Sequence, residues 1–281
     1  MKTSIDCLPC ILRQVLEAAR MTTEEPELQD KIMVDALKIL ADYKQYHCSP
    51  DISKVMHRIV KDYTGVEDPY ATIKANDIQL AYRVYPILEQ FLKRKHNDLY
   101  WALKTAAVGN TIDMAVNLKV DLEQCIEEEL EKQFAICDLD VFEKKLEKAK
   151  TLLIIGDNAG ETVFDRVLIK RLSHLKVTYA VRNSPTLNDA TVADAYASGL
   201  GECATVMSSG CDTPGTILKD SSKAFMEILQ KADLIISKGQ GNFEALSDDG
   251  KNIFYLLKAK CPVISKQFNV PLQEYVFKYG G

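Results

Sequence analysis

The sequence predicts an α/β protein in two parts. Residues 1–149 form an all-helical domain, packed on a domain over residues 150–281 built around a mostly parallel sheet. Three observations support this. Apolar residues recur at helical spacing through the first half. Near Lys150 the pattern changes to short apolar runs that alternate with helical stretches, which implies right-handed crossovers and parallel strands. No linker rich in Pro, Gly or Ser separates the halves, so they are expected to pack closely.

The elements follow in order. Cys10, Ile11, Val15, Leu16 and Ala19 make the first apolar stripe. A second helix over 28–43 has Ile32, Met33, Leu37 and Leu40 in register. Ser49-Pro50-Asp51 signals a helix start, and Ile52, Val55, Ile59 and Val60 continue it. Asp68-Pro69-Tyr70 opens a long helix running to about Lys93. Residues 97–117 are helical again, with Leu99, Ala102, Leu103 and Ala106 on one face. Two acidic amphipathic stretches, 122–132 and 139–148, close this half. In the second half, strands are expected over 152–156, 177–182, 204–208, 234–237 and 253–258. The helices between them are expected over 162–175, 189–198, 221–231 and about 241–246.

The bulk properties narrow the function. A chain of 281 residues can bury a large core. A formal net charge of −5 gives no electrostatic footprint for nucleic acid, so an anionic substrate needs a local cation. No apolar run approaches the ~18–20 residues that cross a bilayer, and no apolar leader follows Met1. The eight cysteines are scattered, as in a reduced, cytoplasmic protein rather than a disulfide framework.

Asp157-Asn158-Ala159-Gly160-Glu161 follows the run that ends at Gly156, so it stands at the carboxyl end of a strand and the amino end of a helix. Open α/β sheets place their ligands there. A carboxylate beside an amide oxygen makes a poor phosphate cradle but a good site for a hard metal ion. Helix capping is the plainer reading, since Asp and Asn both cap well. Asn188-Asp189 follows the next strand in the same way, and loops on adjacent strands are neighbours, so Asp189 can complete a site with Asp157 and Asn158. Ser237-Lys238-Gly239-Gln240-Gly241-Asn242 follows a third strand; its glycines can expose amides to an anion, and Lys238 can add a point charge. A plain turn produces the same pattern. The loop from Ser208 to Thr216 is rich in small and hydroxyl residues and can line a polar pocket, or be a simple loop. Asn110 and Asp113, three apart in Gly109-Asn110-Thr111-Ile112-Asp113, share a helix face that reaches the site or faces solvent. Cys7-Leu8-Pro9-Cys10 is a CxxC, open to a redox role, to a zinc site with His47 and Cys48, or to ordinary packing. No P-loop and no Gly-x-Ser-x-Gly elbow is present.

In their order along the chain, these motifs resemble the metal-dependent damage-control phosphatases, earlier catalogued as domain-of-unknown-function family eighty-nine. Some of its members have been called acidic-residue (protein-glutamate) methyltransferases. The resemblance runs from Cys7-x-x-Cys10 through Gly109–Asp113, Gly156–Glu161, Leu187-Asn188-Asp189 and Lys238–Asn242 to the stretch from Tyr255 to Pro262. The CxxC is similar to that of stand-alone prokaryotic-type members. The resemblance implies a helical domain on a three-layer α/β/α, Rossmann-like domain. It implies a divalent metal (Mn²⁺, Co²⁺, Ni²⁺ or Mg²⁺) held by Asp157, Asn158 and Asp189. It also implies substrate-phosphate contacts from Lys238, Asn242 and Lys260. The expected activity is hydrolysis of small phosphate monoesters, such as sugar phosphates or damaged phosphometabolites. Asp157 would touch both the metal and the reacting centre, with Lys238 and the Gly239–Gly241 amides on the phosphoryl oxygens and Asn110 and Asp113 on the leaving group.

Two rivals stand beside this reading. An S-adenosylmethionine-dependent carboxyl methyltransferase also uses a glycine-ended strand, but usually with a Gly-rich loop first and an acid ending the second strand, where this chain has Arg182. A non-catalytic module would hold a phosphorylated metabolite through Lys238 alone.

Overall fold

The computed structural model describes residues 1–96, 98–111, 122–249 and 252–281. Three helices come first: α1 (Cys7–Thr22), α2 (Pro26–Ala41) and α3 (Ser49–Thr64). Proline falls in the first turn of α2 and of α3, where a missing N–H costs nothing. Gly65 ends α3 in the left-handed region, φ 68°, with its amide on Lys61 O. Ile11, Val15, Ala18, Ile32, Ala36, Ile52, Met56 and Val60 close a core of their own between these helices.

The next elements are α4 (Ala71–Arg94), α5 (Leu99–Val108), α6 (Leu122–Glu131), β1 (Phe134–Cys137) and α7 (Leu139–Leu146). The second half then alternates: β2 (Thr151–Ile155), α8 (Glu161–Arg171), β3 (Lys176–Val181), α9 (Val192–Ala197), β4 (Thr205–Ser208), α10 (Lys223–Lys231), β5 (Leu234–Lys238), α11 (Gln240–Leu246), β6 (Phe254–Lys258), α12 (Pro262–Phe268) and β7 (Tyr275–Tyr279). The seven strands form one sheet in the order β1-β7-β6-β5-β2-β3-β4. Every pairing is parallel except β6 with β7. A mostly parallel sheet is as expected from the sequence.

The sheet is buried on both faces, which is why β2 reads as an unbroken apolar run. Its alternation divides the core. Leu152 and Ile154 join one cluster with α4, α5, α6 and α8, through Val84, Leu88, Leu103, Ala106, Ile126, Val163 and Phe164. Leu153 and Ile155 join the other, with Phe225, Leu229, Phe243, Leu246 and Ile264 of α10, α11 and α12. Each of these four β2 side chains is 1% exposed or less, and burying each stabilises the fold by about 1.5–3 kcal/mol.

The expected division at residue 149 does not follow these cores. Strand β1 lies before it yet pairs with β7 inside the sheet, and α4 to α6 form one of the sheet's covering layers. Among the described residues, only those of α1 to α3 close a separate core. They are tied to the sheet's loops by Lys61 Nζ on Pro185 O (2.7 Å) and Lys54 on Asp220 (3.0 Å).

Candidate active site

The chain runs outward from β2 through β3 to β4, then returns to the other side of β2 as β5. A crevice opens at the carboxyl ends of β2 and β5, where the direction of winding reverses. Asp157 leaves β2 on one side of it and Gly239 leaves β5 on the other.

Backbone pairing draws the two acidic loops together. Asn158 and Asp189 form an isolated antiparallel bridge, with Ala159 N on Asn188 O (2.9 Å) and Ala190 N on Asp157 O (2.8 Å). The capping alternative fails for both motifs. Gly160 occupies the N-cap of α8, and Thr191 caps α9 in a capping box with Asp194. The side chains of Asp157, Asn158 and Asp189 are therefore free of that duty, and all three line a cavity of ≈ 310 Å³ with Asn110 and Lys260.

Arg182, at the end of β3, organises this floor. Its guanidinium is 1% exposed; Nε donates to Asp189 Oδ2 (2.6 Å) and Nη1 to Thr216 Oγ1 (2.8 Å) and Asn242 Oδ1 (3.0 Å). Nη2 lies 3.8 Å from Asp157 Oδ1 and has no hydrogen-bond acceptor among the described residues. Among the described residues, the Asp157 carboxylate accepts one bond, from Asn110 Nδ2 at 3.3 Å. Burial pushes the Asp157 carboxyl well above the usual range, and Asp189 and Glu161 push it the same way, against Arg182 and Lys260. Burial also raises Asp189, with Arg182 opposing.

This floor fits a hard divalent cation. Two carboxylates and a carboxamide are oxygen donors, and the half-buried Asp157 carboxylate accepts fewer hydrogen bonds from the described residues than it can use. A positive charge there would offset both the burial and the repulsion between Asp157 and Asp189. Two carboxylates leave the remaining positions to water and substrate oxygens, as magnesium-type sites commonly do.

Three sequence expectations are corrected. Lys238 does not face the cavity. It is 1% exposed, and its Nζ is taken up by Asp165 Oδ1 (2.6 Å), Glu161 Oε2 (2.9 Å) and Ala106 O (3.0 Å). That removes the basis for a module holding phosphate through Lys238. Gly239 does not offer its amide to an anion either; the N–H bonds Leu256 O at 3.1 Å. Asn242 is fully buried and braces three loops instead of meeting substrate. Its Nδ2 donates to Gly156 O (2.9 Å) and Lys238 O (2.7 Å), and its Oδ1 accepts from Thr216 N (2.8 Å). Asn110 does reach the site, on Asp157 and Glu161. Asp113 lies outside the described residues.

The match to known proteins follows this geometry. Residues 3–276 match the damage-control phosphatase ARMT1-like domain. The chain belongs to this family. It is 36% identical over 278 residues to a damage-control phosphatase of Pyrococcus horikoshii, covering 96% of each chain. It is 30% identical over 287 residues to a damage-control phosphatase of Archaeoglobus fulgidus, covering 99% of each. The crystal structure of a DUF89 family protein from Pyrococcus horikoshii superposes with a TM-score of 0.91 at 33% identity, over 100% of both chains.

In this damage-control phosphatase family member, the CxxC lies on the cavity wall. Cys7, Cys10 and Cys261 line it, and all three are free thiols. The zinc alternative is not supported: Cys48 is fully buried in the sheet's core while His47 is exposed, and no cluster of three His, Cys, Asp or Glu donors is arranged for a metal among the described residues. Sequence reasoning missed Arg182, and missed Glu161 and Asp165 as the partners of Lys238. Two acids four apart on the buried face of α8 were the available signal. No described helix is long and apolar enough to cross a membrane.

Proposed function

We propose that this chain is a divalent-metal-dependent phosphatase acting on small phosphate monoesters. Family membership supports the phosphatase activity. The observation that carries the metal dependence is the gathering of Asp157, Asn158 and Asp189 on the cavity floor, with Asp157 short of hydrogen-bond donors. Their oxygens would hold Mn²⁺, Co²⁺, Ni²⁺ or Mg²⁺, which supplies charge neutralisation to the phosphoryl group as the bond to the leaving oxygen stretches.

The chain's own groups do the rest. Arg182 holds Asp189 by its Nε and keeps the two acidic loops at one spacing. Asn110 donates to Asp157 Oδ2, while Oδ1 lies on the Arg182 side, 3.8 Å from Nη2. Lys260 lines the cavity and makes no ion pair among the described residues, so its ammonium is available to a phosphoryl oxygen. Asp157 orients the attacking water. Lys238, Glu161 and Asp165 form the buried support beneath the floor.

The test pairs binding with turnover. Calorimetric titration with Mn²⁺ should show binding to the native chain and none to Asp157→Ala. A screen of phosphate esters against several divalent metals should show metal-dependent release of phosphate by the native chain alone. Normal turnover in a correctly folded Asp157→Ala variant would sink this reading, and micromolar binding of S-adenosylmethionine would favour a methyltransferase.

A further inference from the structure

Gln240 ties two strand-end loops of the cavity together. It is the first residue of α11 and follows Gly239, whose α-carbon packs on the Asp157 carboxylate. Its side chain reaches across to the link between β6 and α12. There Oε1 accepts from the backbone N–H of Lys260 (2.6 Å) and Nε2 donates to Cys261 Sγ (3.8 Å). A carboxamide has one accepting end and one donating end, and both are engaged, which fixes the way this one points. Gln240, Lys260 and Cys261 all line the cavity that holds Asp157.

The Lys260 amide depends on this bond. Ala259 is pinned by its N–H on Glu274 O (2.8 Å) and by its carbonyl, which accepts from Gln273 N (2.8 Å). Pro262 opens α12 two residues after Lys260. Between these anchors, the Gln240 carboxamide is the one acceptor of the Lys260 N–H among the described residues. A peptide unit is planar and turns as a whole, so the bond to its N–H sets the direction in which the Lys260 side chain leaves the backbone. The ammonium at the far end reaches the floor electrostatically. Burial pushes the Asp157 and Glu161 carboxyls up, and Lys260 opposes both shifts.

We propose that Gln240 is a positioning residue, which holds the Lys260 backbone so that the ammonium faces the Asp157 side of the cavity and meets a phosphoryl oxygen there. The assignment rests on the phosphatase reading. Gln240 acts through Lys260 and exchanges no atom with substrate.

The experiment is a double-mutant cycle on Gln240→Met and Lys260→Met with Mn²⁺. It uses p-nitrophenyl phosphate as the substrate and inorganic phosphate as the calorimetric ligand. Methionine is unbranched, like both side chains it replaces, and offers neither charge nor a strong hydrogen bond. Gln240→Met should raise KM for the ester and Kd for phosphate about tenfold, as a weakened charge-assisted contact does, with kcat within about threefold. Lys260→Met should raise both further, about fiftyfold. Adding Gln240→Met to Lys260→Met should change neither by more than about twofold, because residues that act through one contact do not add. In Gln240→Met the affinity for Mn²⁺ should stay within about twofold of native, since no metal-ligating side chain is altered.

Additive effects in the cycle would mean that Gln240 meets the substrate itself or only braces the fold, and would overturn the assignment. Native KM in either single variant would overturn it too, as would a loss of Mn²⁺ affinity in Gln240→Met equal to its loss of phosphate affinity. Each of these leaves the phosphatase reading standing, because the native chain still turns over the ester. A native chain that does not hydrolyse the ester with Mn²⁺ would overturn both. Should Gln240→Met not fold, Gln240→Asn, whose shorter side chain cannot span to the Lys260 N–H, carries the same cycle.

Discussion

The α-carbon of Gly239 packs against the carboxylate of Asp157, so closely that a Cβ there would stand 1.9 Å from Oδ2. Gly239 also has φ 80°, in the left-handed region that side chains disfavour. Two strand-end loops therefore meet at a point where only glycine fits, and the meeting places Asp157 at the cavity floor.

Gly239→Ala is expected to displace the Asp157 carboxylate. Phosphatase activity should fall by at least about a hundredfold, as a misplacement of about 1 Å can cost. Stability should fall by roughly 1–3 kcal/mol from the strained φ. Metal affinity by calorimetry and the denaturant midpoint measure the two effects separately. An alanine variant with native metal affinity and native kcat would show that Asp157 tolerates the shift.

Lys238 is a structural cation. Its ammonium and the carboxylates of Glu161 and Asp165 are each 1% exposed or less, so removing the lysine leaves two buried acids without their cation, held only by Asn110 on Glu161 and the Tyr179 hydroxyl on Asp165. Lys238→Met should cost about 3–5 kcal/mol, read from urea unfolding. A phosphate-binding lysine would behave otherwise, with KM raised and stability kept.

The middle of the sheet was legible because β2, β3, β5 and β6 are buried on both faces and read as apolar runs between glycine-bearing loops. Strand β1 was not: Phe134 and Ile136 are half-buried and Ala135 and Cys137 exposed, but all four are apolar, so the short sequence does not show the alternation. Strand β7 was missed too, although it is largely buried. Asp157, Asn158 and Asp189 were legible because their place at strand ends follows from local pattern alone. The role of Lys238 was not: a lysine before Gly-x-Gly reads as an anion site, and only the crossing of β5 over α8 shows that Glu161 and Asp165 take up its charge. Arg182 escaped for the same reason, since its partners lie 7 to 60 residues away.

His57 predicts an acid-side loss of stability. It is 6% exposed, its Nε2 has no hydrogen-bond partner among the described residues, and burial, with Lys61 adding to it, lowers its imidazolium pKa from 6.5 to about 4. Between those values the unfolded chain binds more protons than the folded one, so stability falls as pH drops from about 6.5 to about 4. The full effect is roughly 3 kcal/mol. Melting temperatures across that window should fall less steeply for His57→Leu than for the native chain; parallel curves would refute the assignment.

Lys104 predicts the opposite kind of variant, one that gains stability. The side chain is 0% exposed, and its Nζ lies 3.1 Å from the Tyr275 ring centroid with no hydrogen-bond acceptor among the described residues. Burial lowers its pKa from 10.5 to about 7; Glu129 opposes the shift, while Lys258 and Lys132 add to it. Between pH 7 and 10.5 the unfolded chain holds a proton that the folded chain has lost, so folding carries the cost of deprotonation at neutral pH. Lys104→Met fills similar volume without that cost and should stabilise the protein at pH 7, on the order of 1–4 kcal/mol. The gain should shrink as pH rises toward 10.5, where the amine is neutral in both states. Denaturant unfolding of both proteins at pH 7 and pH 10 checks the sign and the trend together, and a variant less stable at pH 7 would mean that the contact of Nζ with the Tyr275 ring outweighs its burial.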